Sequence, residues 1–203
     1  MVPPTTDLQT SRIDAILDAA CRVIAREGAH GLHMKAVAAE AGVSKALVHY
    51  YFATRLELLR RAFVHAEEQL DRAVDEELAL LETGAERLER ALLVSIDANS
   101  AFGERRALWN EVWSSVAFDE ELRPLMRDWY EAWLARLVAL VELGRGDGSI
   151  SATVDARGAA WRLGAAADGL DSLLYLGLVD RDGAAELVRA ALARELRGEP
   201  TAR

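Results

Sequence analysis

The chain is poor in several residue types, and each shortage excludes a class of protein. There is one cysteine, Cys21, which rules out a disulfide framework within the chain and any cysteine-based zinc site, and fits a reducing compartment. No stretch approaches the ~20 apolar residues that a membrane-spanning helix needs. The opening Met1-Val2-Pro3-Pro4-Thr5-Thr6-Asp7 has no basic segment leading into an apolar run, so no secretory signal is expected and a cytoplasmic location is. There is no sustained period-2 alternation and no repeat of fixed period, which argues against strands and solenoids. Ser/His/Asp and Cys/His constellations are missing, as is a phosphate-cradling glycine loop, so no catalytic residue, no cofactor and no enzymatic activity are expected. His30 and His33 lie three apart without a carboxylate or cysteine pattern beside them, so no metal site is expected either. Lysine is the scarcest charge, with only Lys35 and Lys45.

The charge is unevenly spread. The 203 residues carry a net charge of −9, which by itself argues against nucleic acid as a partner. Residues 1–60 hold 7 basic and 6 acidic side chains, and residues 61–203 hold 17 and 27. Both lysines fall in the first part. The acidic load belongs to the rest of the chain.

Half of the residues, 51%, are hydrophobic, and they recur at three- and four-residue steps almost throughout. The pattern reads as all-α, with about nine helices. The spacing predicts helices over about 7–27, 34–41, 45–51, 54–81, 85–101, 104–117, 119–143, 154–177 and 182–197. Residues 1–7 read as an arm and 198–203 as a frayed tail. Gly28 and Gly31 stop the first helix, Gly42 separates the two short ones, and Thr54 can cap the fourth. Pro124 falls in the first turns of its helix, where its missing N–H costs little. Gly144-Arg145-Gly146-Asp147-Gly148 reads as a loop. The domain boundary is expected after residue 53, dividing 1–53 from 54–203.

Residues 35–52 carry the chemistry. Val37, Ala38 and Ala41 form one buried face. Gly42 permits a sharp turn, and Val43, Val48 and Phe52 anchor the second short helix. Ser44 can cap that helix, so its start offers free N–H groups and a positive dipole end beside Lys45. This is the physical form of a helix-turn-helix, whose second helix enters the major groove. His49, Tyr50 and Tyr51 add donors for phosphates or base edges, and Arg55 is placed for another phosphate. The pattern Ile16, Ala19, Ala20, Gly28, Val37-Ala38, Ala41-Gly42-Val43-Ser44-Lys45, Tyr51-Phe52, Arg55 and Leu58-Leu59 resembles the DNA-binding domain of the TetR family of bacterial transcription regulators. The later part resembles the ligand-binding half of that family, with 109–177 similar to its BetI-type group. The family usually has Thr or Ser where His33 caps the first short helix, often Ser or Thr at the position of Leu47, and Tyr at that of His49. Leu47 cannot bond a phosphate but can touch a thymine methyl. The expected DNA contacts are His33, Lys35, Ser44, Lys45, Ala46, Leu47, His49, Tyr50, Tyr51 and Arg55.

All five tryptophans lie between residues 109 and 161. Trp109 and Trp113 share a helical face, as do Trp129 and Trp133. In the next helix Trp161, Gly164, Asp168, Asp171 and Tyr175 share one stripe, and Leu163, Leu170, Leu174 and Leu178 another. Trp109, Trp113, Trp129, Trp133, Trp161, Asp168, Asp171 and Tyr175 are the candidate lining of a small-molecule pocket, although a tryptophan also fills a core without any ligand. An ionised carboxylate pair needs neutralising, by Arg162, by another arginine or by a cationic ligand. An aromatic or cationic organic molecule is the expected effector class. The last helix carries Ala184, Leu187, Val188, Ala191, Leu192 and Leu196 as a wide apolar stripe. The resemblance implies that the last two long helices of each subunit form a four-helix dimer interface. Leu163, Leu170, Leu174, Leu178, Leu187, Val188, Ala191 and Leu192 are its candidate residues.

The expected function is thus a ligand-responsive, sequence-specific DNA-binding regulator, a homodimeric repressor that a small molecule releases from a near-palindromic operator. A transcriptional activator or a protein-partnered regulator of the same fold is the alternative.

Overall fold

The computed structural model describes residues 7–28, 31–94, 96, 100–116, 118 and 120–197. Residues 1–6 of the expected arm, the expected tail, His30 and positions 95 and 97–99 of the expected fifth helix lie outside the described residues. Nine helices run through them: α1 (Asp7–Glu27), α2 (Met34–Glu40), α3 (Lys45–Tyr51), α4 (Arg55–Ala79), α5 (Gly84–Leu93), α6 (Ser100–Val116), α7 (Leu122–Asp147), α8 (Ala156–Tyr175) and α9 (Arg181–Glu195). No helix among the described residues is long and apolar enough to cross a membrane. The chain divides into two compact units, Met1–Arg72 with Asn99–Met126, and Ala73–Ala98 with Arg127–Arg203.

In the first unit α1 packs against α2 and α6, and α2 against α3. Ile16, Ala19, Ala20, Val23 and Ile24 of α1 are fully or almost fully buried, together with Leu32, Val37, Val48 and Phe52. The spacing of the α1 residues, mostly three or four apart, is why one face of that helix is apolar. The turn between α2 and α3 is closed by backbone geometry. Gly42 takes a φ of +66°, Val43 N–H donates to the Ala38 carbonyl at 2.9 Å, and Gly42 N–H to that of Ala39 at 3.3 Å. These two bonds are a Schellman motif, which satisfies carbonyls the helix end would leave bare. The Ser44 hydroxyl oxygen then accepts from Leu47 N–H at 3.1 Å and starts α3. Glu40, at the end of α2, accepts from Arg22 and Arg26 of α1, each at 2.9 Å. Those two guanidinium groups hold its carboxyl below the usual carboxylate range.

In the second unit α8 packs against α9, and α5 against both. Thr83 and Glu86 form a capping box at the start of α5. The same helix start is held from α7 and the turn after it: Gly84 N–H donates to Asp147 at 2.7 Å, and Ala85 N–H to Ser149 at 3.1 Å. A Cβ on Gly84 would lie 2.2 Å from the backbone nitrogen of Gly144, so the two helices meet at a glycine pair. This corrects the expected loop at 144–148. Residues Gly144–Asp147 continue α7, because the glycine there serves a close helix–helix approach and the aspartate caps a neighbour. Two other boundaries also move: α5 ends at Leu93, before residue 101, and α6 begins at Ser100, before residue 104.

The left-handed backbone at Gly42 gives a direct prediction. A Cβ there meets no other atom, so Gly42→Ala is expected to cost about 1–2 kcal/mol from backbone strain alone. Thermal or denaturant unfolding measures it, and an unchanged midpoint would refute the strain argument.

Candidate nucleic-acid interface and effector site

The short helix α3 has two unlike sides. Val48 and the C-cap residue Phe52 are buried, while Lys45, Ala46, His49 and Tyr50 are exposed, with Leu47 and Tyr51 between them. At about 100° of rotation per residue, positions 45, 46, 49 and 50 span about 140° of the helix and leave Val48 on the remaining side, while Phe52 turns inward through the extended backbone of the C-cap. That face offers an ammonium, an imidazole and a phenol, and Tyr50 is 74% exposed. The Tyr50 and Tyr51 rings meet edge to face, with centroids 5.0 Å apart. Ser44 accepts a bond at the helix start, and its hydroxyl proton remains a donor. Lys35, in the first turn of α2, and His33, just before it, are also exposed. His33 occupies the N-cap of α2 without a side-chain cap bond, as imidazole in place of Ser or Thr leads one to expect. Arg55 is exposed, and its Nε–H donates to the Leu32 carbonyl at 3.0 Å. At least one of its donors is thus engaged within the protein.

Trp109 and Trp113 of α6 stack with centroids 5.5 Å apart and lie in the first unit. A groove of about 320 Å³ in that unit is lined by Thr54, Leu56, Glu57, Arg60, Arg61, Val64, Glu121 and Leu125. None of the eight expected pocket residues lines it.

The second unit carries the other aromatic group. Trp129 and Trp133 stack at 5.9 Å. Tyr130 meets both rings edge to face, at 5.1 and 6.0 Å. The Tyr130 hydroxyl donates to Asp168 Oδ2 at 3.0 Å. Tyr130 is the member of this cluster that the sequence reading missed. It sits one position off the tryptophan stripe, so only the partner across the helix pair identifies it. Asp168 is half-buried. Burial raises its carboxyl above the usual range, the Tyr130 bond opposes that, and the charge of Asp171 adds to it. Burial likewise raises the Tyr130 phenol, followed by the charges and bond of the two aspartates. Arg162, weighed as their neutralising partner, directs Nε and an Nη to Glu195 at 2.9 and 2.7 Å. Gly164 lies under Trp133: a Cβ there would be 3.0 Å from the indole. Trp161 and Tyr175 are 54% and 75% exposed, so the expected aromatic–polar stripe of α8 divides. Asp168 and Asp171 lie at its half-buried part, and the two rings at its solvent side.

The expected dimer stripe divides too. Leu163, Leu170, Val188 and Leu192 are buried within the chain, where α8 and α9 pack on each other. Four of the eight expected interface residues are thus already covered within the protomer. Leu174 and Ala191 are half-buried, while Leu178 and Leu187 are exposed. Leu173 and Leu176 join them on the surface.

Comparison with known proteins adds to this geometry. Residues 16–62 match the model of bacterial regulatory proteins of the tetR family. Residues 84–197 match the model of the BetI-type transcriptional repressor C-terminal domain. The chain is 27% identical to the HTH-type transcriptional regulator BetI of Brucella canis, over 98% of each chain. Among solved structures, it resembles a TetR-family regulator from Rhodococcus sp. with a TM-score of 0.79 and 27% identity, over 92% of this chain and 99% of the other. It also resembles a transcriptional regulator from Saccharomonospora viridis in complex with choline. There the TM-score is 0.80 and the identity 26%, over 94% of this chain and 100% of the other.

Removing the Tyr130 hydroxyl tests the geometry of the second unit. A hydrogen bond to the ionised carboxylate favours that form, so Tyr130→Phe is expected to raise the Asp168 pKa further. A carboxyl-detected NMR titration measures it; an unchanged or lowered value would mean the bond is not formed in solution.

Proposed function

The chain belongs to the TetR family of bacterial transcription regulators, in its BetI-type repressor group, and we propose that a small organic cation is what releases it from DNA. It is a ligand-responsive DNA-binding regulator. In this proposal residues 1–53 read the operator, and residues 54–203 hold the effector and join two copies in the cytoplasm. The observation that carries the DNA-reading assignment is the face of α3 that leaves Lys45, Ala46, His49 and Tyr50 in solvent while Val48 and Phe52 are buried. Ser44, Leu47 and Tyr51 flank that face, and His33, Lys35 and Arg55 lie at the starts of α2 and α4. Two such faces related by a two-fold axis would meet successive major grooves of a near-palindromic site. The exposed Leu178 and Leu187, with Leu174 and Ala191, supply apolar area for the contact between copies.

The effector class is argued from the second unit. Stacked Trp129 and Trp133, the Tyr130 ring and the half-buried Asp168 beside Asp171 combine aromatic faces with negative charge. That pairing attracts an organic cation. The choline held by the Saccharomonospora viridis relative supports the same class. Trp161 and Tyr175 belong to the same helix as Asp168 and complete the candidate set of this unit; Trp109 and Trp113 form a separate aromatic pair in the first unit. A cation that binds more tightly to the form unable to grip DNA would shift the population toward that form and lower operator affinity.

Two experiments test this. A gel-shift titration with the DNA upstream of the gene should give a specific, salt-sensitive complex. Lys45→Ala should weaken binding to every duplex and lower the salt slope by about one, as loss of a single phosphate contact does. A specific complex unaffected by that change would remove Lys45 from the interface. The second experiment is tryptophan fluorescence titration with choline and related organic cations. A bound cation favours the ionised form of Asp168, so a proton competes with it. Affinity should be full above the raised Asp168 pKa and fall as pH drops through it. Asp168→Asn should weaken binding at neutral pH and abolish that pH dependence. Equal affinity for cations and their neutral isosteres would refute the effector class.

A further inference from the structure

The far end of α3 is held by a residue of α4. Arg61 is half-buried. Its Nη1 donates to the Tyr51 carbonyl at a long 3.5 Å, and its guanidinium lies 4.8 Å from the centroid of the Phe52 ring. Tyr51 is the last residue of α3, so its carbonyl is among those that a helix end leaves without an intrahelical partner. A positive charge there also suits the negative end of the helix dipole. Phe52 is the C-cap, fully buried, with its N–H on the Val48 carbonyl at 2.9 Å. The guanidinium therefore touches both the last helical carbonyl and the ring that anchors the helix. Six residues earlier on the same helix, Arg55 reaches the Leu32 carbonyl just ahead of α2. One helix thus grips the two-helix motif at its entrance and at its exit.

We propose that Arg61 is a positioning residue for operator recognition: by tying the end of α3 to α4, it sets the direction in which Ala46, His49 and Tyr50 project, while the long, flexible Lys45 at the other end of the helix keeps its reach to a phosphate. This rests on the assignment of that face as the DNA-reading surface. A positioning residue has a different signature from a phosphate contact. Misdirecting the helix removes base readout but leaves the charge attraction in place, so specific binding falls, non-specific binding stays and the salt slope is unchanged.

The experiment starts by enriching duplexes from a random pool with the full wild-type chain. A wild-type chain that enriches no sequence overturns the assignment of α3 and this inference with it. With an enriched duplex in hand, its affinity and that of an unrelated duplex are measured across salt concentrations for wild type, Arg61→Gln and Arg61→Lys. Arg61→Gln should lose about ten-fold on the enriched duplex, the scale of one cation–π contact plus one hydrogen bond. Affinity for the unrelated duplex and the salt slope should not change. Arg61→Lys keeps the charge without the flat fork, so it should also lose specific affinity. If Arg61→Gln does not fold, Arg61→Lys carries the same comparison. Equal losses on both duplexes with a slope lower by about one would make Arg61 a phosphate contact, and full specific affinity in both variants would show that it positions nothing.

Discussion

Helices of seven residues are not stable in water by themselves, because the cost of fixing the first turn is not recovered over so short a length. The helix α3 has this length, so its shape is supplied by its surroundings. Val48 and Phe52 are buried against the rest of the first unit, Ser44 starts the helix, and the backbone bonds at Gly42 and Val43 fix the approach from α2. None of these contacts uses the side chains of Lys45, Ala46, His49 or Tyr50. The protein can therefore present a polar face of chosen chemistry without asking those residues to stabilise anything.

The ionic arrangement of the first unit obeys the same division. Arg22 and Arg26 share the Glu40 carboxylate, tying α1 to the end of α2. These partly exposed pairs contribute little stability one at a time; their value lies in orientation. Charge committed to holding helices together is not available to attract a polyanion. A first part with nearly balanced charge has no broad basic surface, so in the proposed reading DNA binding depends on a few placed donors, such as Lys45.

Much of the motif was legible because its signals are local. Glycine, serine and buried valines punctuate residues 34–52, and α2 and α3 occupy nearly the ranges that those signals mark. The glycine rule misled at Gly144, where a residue that often ends helices continues one and lets the Gly84 backbone come close. That contact joins positions sixty residues apart, so no local pattern contains it. The apolar stripes of α8 and α9 were visible as stripes, but periodicity reports that a face is covered, not by what. Leu163, Leu170, Val188 and Leu192 are covered by the protomer's own helices. Tyr130 stayed hidden for a related reason: its importance comes from Asp168, on another helix.

The turn between α2 and α3 also limits how the protein can change over time. Its few residues are all used, one in a left-handed conformation, one donating back into α2 and one capping α3. Adding or deleting a residue within α3 would rotate the remainder of the helix by about 100° and carry Phe52 out of the core. Residues 42–52 are therefore fixed in length but free in content at positions 45, 46, 49 and 50. If that face reads DNA, as proposed, new preferences in descendants of this chain arise by exchange of its side chains, one letter at a time, with the count of residues preserved.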